Sequence, residues 1–117
     1  MHKNSYINAF KHLNKSLSFK KRENIFFAGQ LIGVEGYVES SMSGLLAGLN
    51  AYKLLINEPL VNFPDKTMSG SILKFVCENN KKYPQPMNAN FGVFIGEKEK
   101  VEISLDILKR WVLENEL

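Results

Sequence analysis

The chain has 117 residues, 44% hydrophobic and 23% charged, with a formal net charge of +3. That is material for one small domain with the balance of a soluble globular protein. Its single cysteine, Cys77, excludes an internal disulfide scaffold and fits a reducing compartment, and no apolar run approaches membrane-spanning length.

The charge is unevenly placed. Residues 1–22 contain Lys3, Lys11, Lys15, Lys20, Lys21 and Arg22 and no acid, a local charge of +6 against −3 for the rest. A basic stretch can follow a phosphate backbone, or it can be an ordinary solvated surface. Tyr6, Phe10, Leu13, Leu17 and Phe19, interleaved with the cations, read as docking contacts rather than base-stacking platforms. The stretch also lacks the apolar core of a secretion signal, so a cytoplasmic location is expected.

Ile25, Phe26, Phe27 and Ala28 then form an unbroken apolar run, the pattern of a strand covered on both faces in a parallel sheet. Gly29, Gly33 and Gly36 follow within eight residues. They admit positive φ and let a ligand approach the backbone closely, so a tight turn is expected there. From about Tyr37 the pattern becomes helical, with Val38, Ser41, Leu45, Gly48, Leu49 and Tyr52 spaced to share a face. Glu39 stands where a carboxylate meets the free amides of the first turn. Gly44 and Gly48 each cost helix propensity of about 1 kcal/mol relative to alanine, which argues for close packing against another backbone. A glycine turn and a helix start behind a strand can stabilise phosphates or the electron-rich edge of a flavin. An ordinary strand-turn-helix with glycines used only for packing has the same spacing, and the residues alone do not choose.

Downstream, Glu58 to Lys66 is a connector whose Pro59 and Pro64 oppose helix. A helix is expected over Ser69 to Glu78, with Cys77 as a buried structural thiol rather than a nucleophile. Lys81 to Gly92 is an ordered-loop candidate, in which Asn88 and Asn90 suit both a scaffold and a ligand with amide edges. From Glu97 an amphipathic packing helix is expected, with Val101, Leu105, Leu108, Trp111 and Val112 in one stripe. No metal-ligand cluster is visible, since His2 and His12 lack spaced partners.

The segment Ala28 to Gly48, AGQLIGVEGYVESSMSGLLAG, resembles the C-terminal flavin-binding segment of the folate- and FAD-dependent tRNA uracil-5 methyltransferases, the TrmFO family. The related MnmG family shares the AGQ turn and the GLLAG helix, but its turn typically reads Gly-Thr-Thr-Gly-Tyr-Glu-Glu. Here Gly33-Val34-Glu35-Gly36-Tyr37-Val38-Glu39 favours TrmFO. HKNSYINA, His2 to Ala9, is similar to the family's Met-His-Arg-Asn-Thr stretch, and QPMNANFG, Gln85 to Gly92, to a signature near its C-terminus. The resemblance runs to about Phe94 and then fades.

The resemblance implies an α/β fold: the C-terminal fragment of an FAD/NAD(P)-binding Rossmann-like domain, with one clear parallel strand followed by helices. Residues 1–94 would belong to the FAD-binding domain and 95–117 to a terminal helix. The GxGxxG fingerprint and the family's catalytic cysteines fall in upstream sequence, so the chain reads as the C-terminal part of a longer flavoenzyme and holds no catalytic nucleophile. Its partners would be that N-terminal part and RNA, tRNA foremost, with self-association through an exposed strand edge and no membrane. The parent would methylate C5 of a uridine using methylenetetrahydrofolate and reduced FAD, with NAD(P)H reducing the flavin. Gly29 and Gln30 would lie near the ribityl or phosphate part, with Gly33 in the turn and Val34, Glu35, Gly36 and Tyr37 at the pyrimidine edge. Asn4, Asn88 and Asn90 would be substrate-binding candidates and His2 a candidate for stacking or proton transfer. Glu35 is equally read as an exposed helix-start carboxylate. The alternatives are a non-catalytic RNA-binding or docking remnant of the same fold, an MnmG-like wobble-uridine modifier, or an rRNA uracil-5 methyltransferase.

Overall fold

The computed structural model describes residues 7–78, 101–115 and 117. In chain order it has a short helix α1 (Ala9–His12), strands β1 (Ser18–Phe19) and β2 (Arg22–Phe26), a 3-10 turn (Gly29–Ile32), and helices α2 (Tyr37–Leu55), α3 (Met68–Glu78) and α4 (Val101–Glu114). The α/β class holds, with one correction. β2 pairs antiparallel with β1, Ser18 opposite Phe26 and Phe19 opposite Arg22, with an irregularity between Ser18 and Phe19. Only Lys20 and Lys21 join the strands, and a connection that short makes a hairpin, because a parallel pair needs a crossover of about a dozen residues or more. The strand also sits earlier than the apolar run. Ile25, Phe26, Phe27 and Ala28 are half-buried rather than covered on both faces.

The hairpin is entered through a tight turn in which the Leu17 amide donates to the Asn14 carbonyl at 2.8 Å. Leu17 adopts φ 70°, an uncommon conformation for a residue with a Cβ. Its side chain is fully buried, and that burial offsets the backbone cost. The core gathers Ala9, Leu13 and Leu17 from the N-terminal part, Ile32 and Val34 from the glycine turn, Leu46 and Ala47 from α2, Val61 from the connector, and Ile72, Leu73 and Cys77 from α3. Leu13 and Leu17 thus act as the docking contacts expected of the basic stretch. Of its cations, Lys15 pairs with Asp65 and Glu78 at 3.5 and 3.3 Å. Lys20 donates to the Phe10 carbonyl at 2.9 Å, while Lys11, Lys21 and Arg22 are exposed.

α2 begins at Tyr37, as expected, but it buries a different face. Ser43, Leu46, Ala47, Asn50 and Lys53 point inward. Val38, Leu45 and Tyr52 are 78%, 67% and 58% exposed, Ser41 and Gly48 are exposed, and Leu49 is half-buried. The periodicity could not choose between the faces because apolar residues run nearly all round this helix. In α4 the expected stripe holds only in part, through Leu108 and Trp111. Its half-buried side carries Ile103, Ser104, Ile107, Leu108, Trp111 and Asn115, whereas Leu105 and Val112 of the expected stripe are exposed. Trp111 meets Phe63 with ring centroids 5.2 Å apart, and the buried Lys53 ammonium donates to Glu58 at 2.8 Å and to the Asn115 carbonyl at 3.4 Å. No described helix is long and apolar enough to cross a membrane.

Candidate functional site

The glycine turn lies between β2 and α2, and all three of its glycines need their lack of a Cβ. Gly29, Gly33 and Gly36 have φ of 76°, 98° and 97°, a region that side-chain-bearing residues enter at a cost. The Gly33 amide closes the 3-10 turn by donating to the Gln30 carbonyl at 3.0 Å, and the Ser40 amide donates to the Gly36 carbonyl at 3.0 Å to open α2. Gly29 is fixed from a distance in sequence. Its amide donates to Ser43 Oγ at 2.8 Å, and that hydroxyl donates to the Ser40 carbonyl at 2.8 Å. Ser43 is fully buried, so this relay locks the end of the extended segment to the first turns of the helix. Sequence reasoning missed Ser43. Its only signal was a hydroxyl three and four residues before Leu46 and Ala47 on the face that proves to be buried.

The turn brings Gly29, Gln30, Gly33, Val34, Glu35, Gly36 and Tyr37 into one continuous segment. Gln30, Glu35, Gly36 and Tyr37 are exposed, Tyr37 at 95%. Val34 is different: the whole residue, backbone included, is buried in the core, so it supports the turn from behind and presents no surface of its own to a ligand. Beside Gly29 there is open space, with nothing within 4 Å of where a Cβ would stand. The 19-residue helix α2 starts directly behind the turn and presents the positive end of its dipole there. With the Gly29 and Gly33 amides already engaged, the segment offers the N-terminus of α2 and the exposed Gln30 side-chain amide. This donor set suits phosphate, a ribityl hydroxyl or the electron-rich edge of a flavin, and it fits one wall of an FAD site.

Other chemistry is absent from the described residues. Cys77 is 4% exposed, its Sγ lies 3.8 Å from the Asn14 carbonyl, and burial pushes the thiol up to about 12. A thiol held protonated in this way is a packing residue. Lys74 Nζ lies 3.0 Å from Glu78 Oε1, and this hydrogen bond holds the Glu78 carboxyl below its ordinary value. With Lys15 and Asp65 these two form a partly exposed ion-pair network joining the turn before β1 to α3. No group of three metal-ligating side chains occurs among the described residues. His2, Asn4, Asn88 and Asn90 lie outside the described residues.

The comparisons with known proteins fall on the same segment. The sequence model of the family described as glucose inhibited division protein A matches residues 1–59. A methylenetetrahydrofolate–tRNA-(uracil-5-)-methyltransferase TrmFO from Bacillus velezensis is 47% identical over 114 residues, covering 94% of this chain and 26% of the relative. Proteins of the same name from Bacillus subtilis and Fervidobacterium nodosum are 53% and 45% identical, over 80% and 92% of this chain and 21% and 25% of theirs. The chain thus spans about a quarter of the length of the curated relatives it matches. Among solved structures, Aquifex aeolicus GidA shares the fold with a TM-score of 0.69 at 20% identity, over 92% of this chain and 18% of that one. With the hairpin, the glycine turn and the whole of α2 inside the family match, the chain belongs to the glucose inhibited division protein A family.

Proposed function

We propose that this chain supplies the C-terminal wall of the flavin site in a cytoplasmic enzyme that methylates C5 of a uridine in RNA, tRNA foremost. The one-carbon unit would come from methylenetetrahydrofolate, and NAD(P)H would reduce the flavin. The observation that carries the reading is the run of three positive-φ glycines ending on the N-terminus of α2, within the segment shared with relatives named for this reaction. Residues 1–94 would serve as the portion of the flavin domain, with the helix in 95–117 packed on it.

Reduced FAD, when bound, supplies the electrons that turn the transferred carbon into a methyl group. The chain's own residues bind and orient. The open space beside Gly29 would leave room for the ribityl or phosphate part, and the exposed Gln30 side chain would donate to or accept from a ribityl hydroxyl without adding charge near the pyrophosphate. The exposed backbone from Glu35 to Tyr37 would face the pyrimidine edge, where the α2 dipole favours developing negative charge. Val34 anchors that backbone by burying its side chain. His2, Asn4, Asn88 and Asn90 remain proposed contacts to cofactor or RNA, and the exposed Lys11, Lys21 and Arg22 are proposed to follow the RNA backbone.

One wall holds flavin weakly, so the chain by itself is expected to purify without stoichiometric FAD. Tight, equimolar flavin on the lone chain would contradict the reading. Combined with the rest of a family enzyme it is expected to bind FAD, and Gln30→Ala should weaken that binding about threefold to tenfold, the worth of one neutral hydrogen bond. Flavin fluorescence titration reads the change. Because Gln30 is exposed, thermal melting of the variant should match that of the unsubstituted chain.

A further inference from the structure

α2 is apolar on two opposite faces, and only one of them meets the rest of the described chain. On the other, Tyr37, Leu45, Tyr52 and Leu55 are 95%, 67%, 58% and 81% exposed. At 3.6 residues per turn these four and the glycines at 44 and 48 fall within an arc of about 120°, which contains no charged side chain. A helix hydrophobic all round is a core helix of a larger body. The glycines point the same way. A Cβ at Gly44 or Gly48 would meet nothing within 4 Å, so packing among the described residues does not require either glycine. Each nevertheless forgoes about 1 kcal/mol of helix propensity. Set in the exposed stripe, they lower the helix surface so that a second backbone can come close.

A second observation is independent of α2. β2 has one strand partner among the described residues, β1, and so presents its other edge to pairing. A third concerns what is available to cover these surfaces. The relatives carry roughly three quarters of their length outside the matched region, and the shared fold occupies 18% of the Aquifex GidA chain.

We propose that the outward face of α2, with the edge of β2 away from β1, is the docking surface for the remaining part of a family enzyme. The contact would be an uncharged, close helix–helix packing centred on Gly44, Gly48 and Leu45. The absence of any cation from the stripe sets it apart from an RNA-binding surface. Only the naming of the partner rests on the functional reading. Docking at this face would also place the partner beside the glycine turn, because Tyr37 begins both the stripe and α2.

The test is to co-express the full tagged chain with the part of the Bacillus subtilis relative outside its matched 21%. The two should copurify in equal amounts. Leu45→Glu combined with Tyr52→Glu should reduce capture at least tenfold while leaving the far-UV circular dichroism and melting temperature of the chain unchanged, both side chains being exposed. Gly48→Leu should reduce capture as well. No capture by the unsubstituted chain would overturn the proposal, as would equal capture by the variants. A self-dimer of the chain that the same double variant converts to monomer would overturn it too, since the face would then belong to a second copy. A captured pair that holds no flavin and transfers no methyl group still supports docking, and it counts against the functional reading alone.

Discussion

Gly70→Ala is expected to destabilise the chain by about 3 kcal/mol or more, against the usual trend for glycine in a helix. Alanine within a helix normally gains about 1 kcal/mol over glycine. At position 70 the added Cβ would overlap the Pro64 carbonyl and stand 2.9 Å from the Phe63 carbonyl oxygen, and both obstacles are backbone rather than a movable side chain. That backbone is also pinned. Thr67 donates to the Pro64 carbonyl through both its hydroxyl, at 2.7 Å, and its amide, at 3.1 Å. The same hydroxyl accepts from the Gly70 amide at 3.2 Å as the N-cap of α3, and Ser71 Oγ donates to the Asp65 carbonyl at 2.7 Å. Relief of the overlap would break the cap and move α3 away from the connector, uncovering Ile72 and Leu73. Urea denaturation should show a large fall in midpoint. Gly44→Ala is the internal contrast: with open space around it, that variant should gain about 0.5–1 kcal/mol. A Gly70→Ala chain as stable as the original would show that the connector yields.

The second large effect belongs to Asn50, which is fully buried in α2. Its side-chain amide forms a two-way pair with the connector, Nδ2 donating to the Val61 carbonyl at 2.8 Å and Oδ1 accepting from the Val61 amide at 2.7 Å. Nδ2 also donates to the Ser16 carbonyl at 2.9 Å. One side chain therefore satisfies three backbone groups of two segments that lack regular structure, and it fixes both against α2. Asn50→Leu keeps the branched shape with bulkier methyl ends and leaves those groups buried without their partner. At about 1–3 kcal/mol for an unsatisfied buried group, with some relief from water entry, the loss should be on the order of 3–5 kcal/mol. The unfolding midpoint should fall accordingly, and amide exchange at Val61 should accelerate before the rest of the core. A midpoint within experimental error of the original would mean that the connector is held by its apolar contacts alone.

These two residues also mark where the sequence stopped being legible. The start of α2, the positive-φ glycines, the extent of α3 and the burial of Cys77 all follow from local rules. Glycine spacing, helix starts and apolar neighbours act within a few residues of each other. Asn50 and Gly70 act across the fold, on Val61 and Pro64, and nothing near them in the chain announces those partners. The hairpin was missed for a related reason. β1 is two residues long, too short for any alternation, and it turns the buried-strand pattern of Ile25 to Ala28 into half of an antiparallel pair. In α2 the expected face was the outward one because both faces satisfy the same period; the choice is made by Asn50 and Ser43, whose polar side chains find partners only inward.

The candidate site follows the same division. Its glycines and the helix behind them were legible because a chain turn must obey local sterics. The Gly29–Ser43 relay and the burial of Val34 were not, because each depends on which face of α2 is turned inward. A turn built this way has its backbone fixed at several points. Gly29 is tied to Ser43, Val34 is sunk in the core and Gly36 starts the helix, while Gln30, Leu31, Glu35 and Tyr37 are the exposed side-chain-bearing residues.

The central claim, that the chain completes the flavin site of an RNA uridine methyltransferase, is tested most directly by following a labelled one-carbon unit. The chain, co-expressed with the remaining part of the Bacillus subtilis relative, would be supplied with labelled methylenetetrahydrofolate, FAD, NAD(P)H, glycine, and both unmodified tRNA and ribosomal RNA. The account predicts label in 5-methyluridine of the tRNA, dependent on the presence of this chain. Label found only in ribosomal RNA, a carboxymethylaminomethyl product at a wobble uridine, or no transfer from a pair that has bound flavin would contradict it.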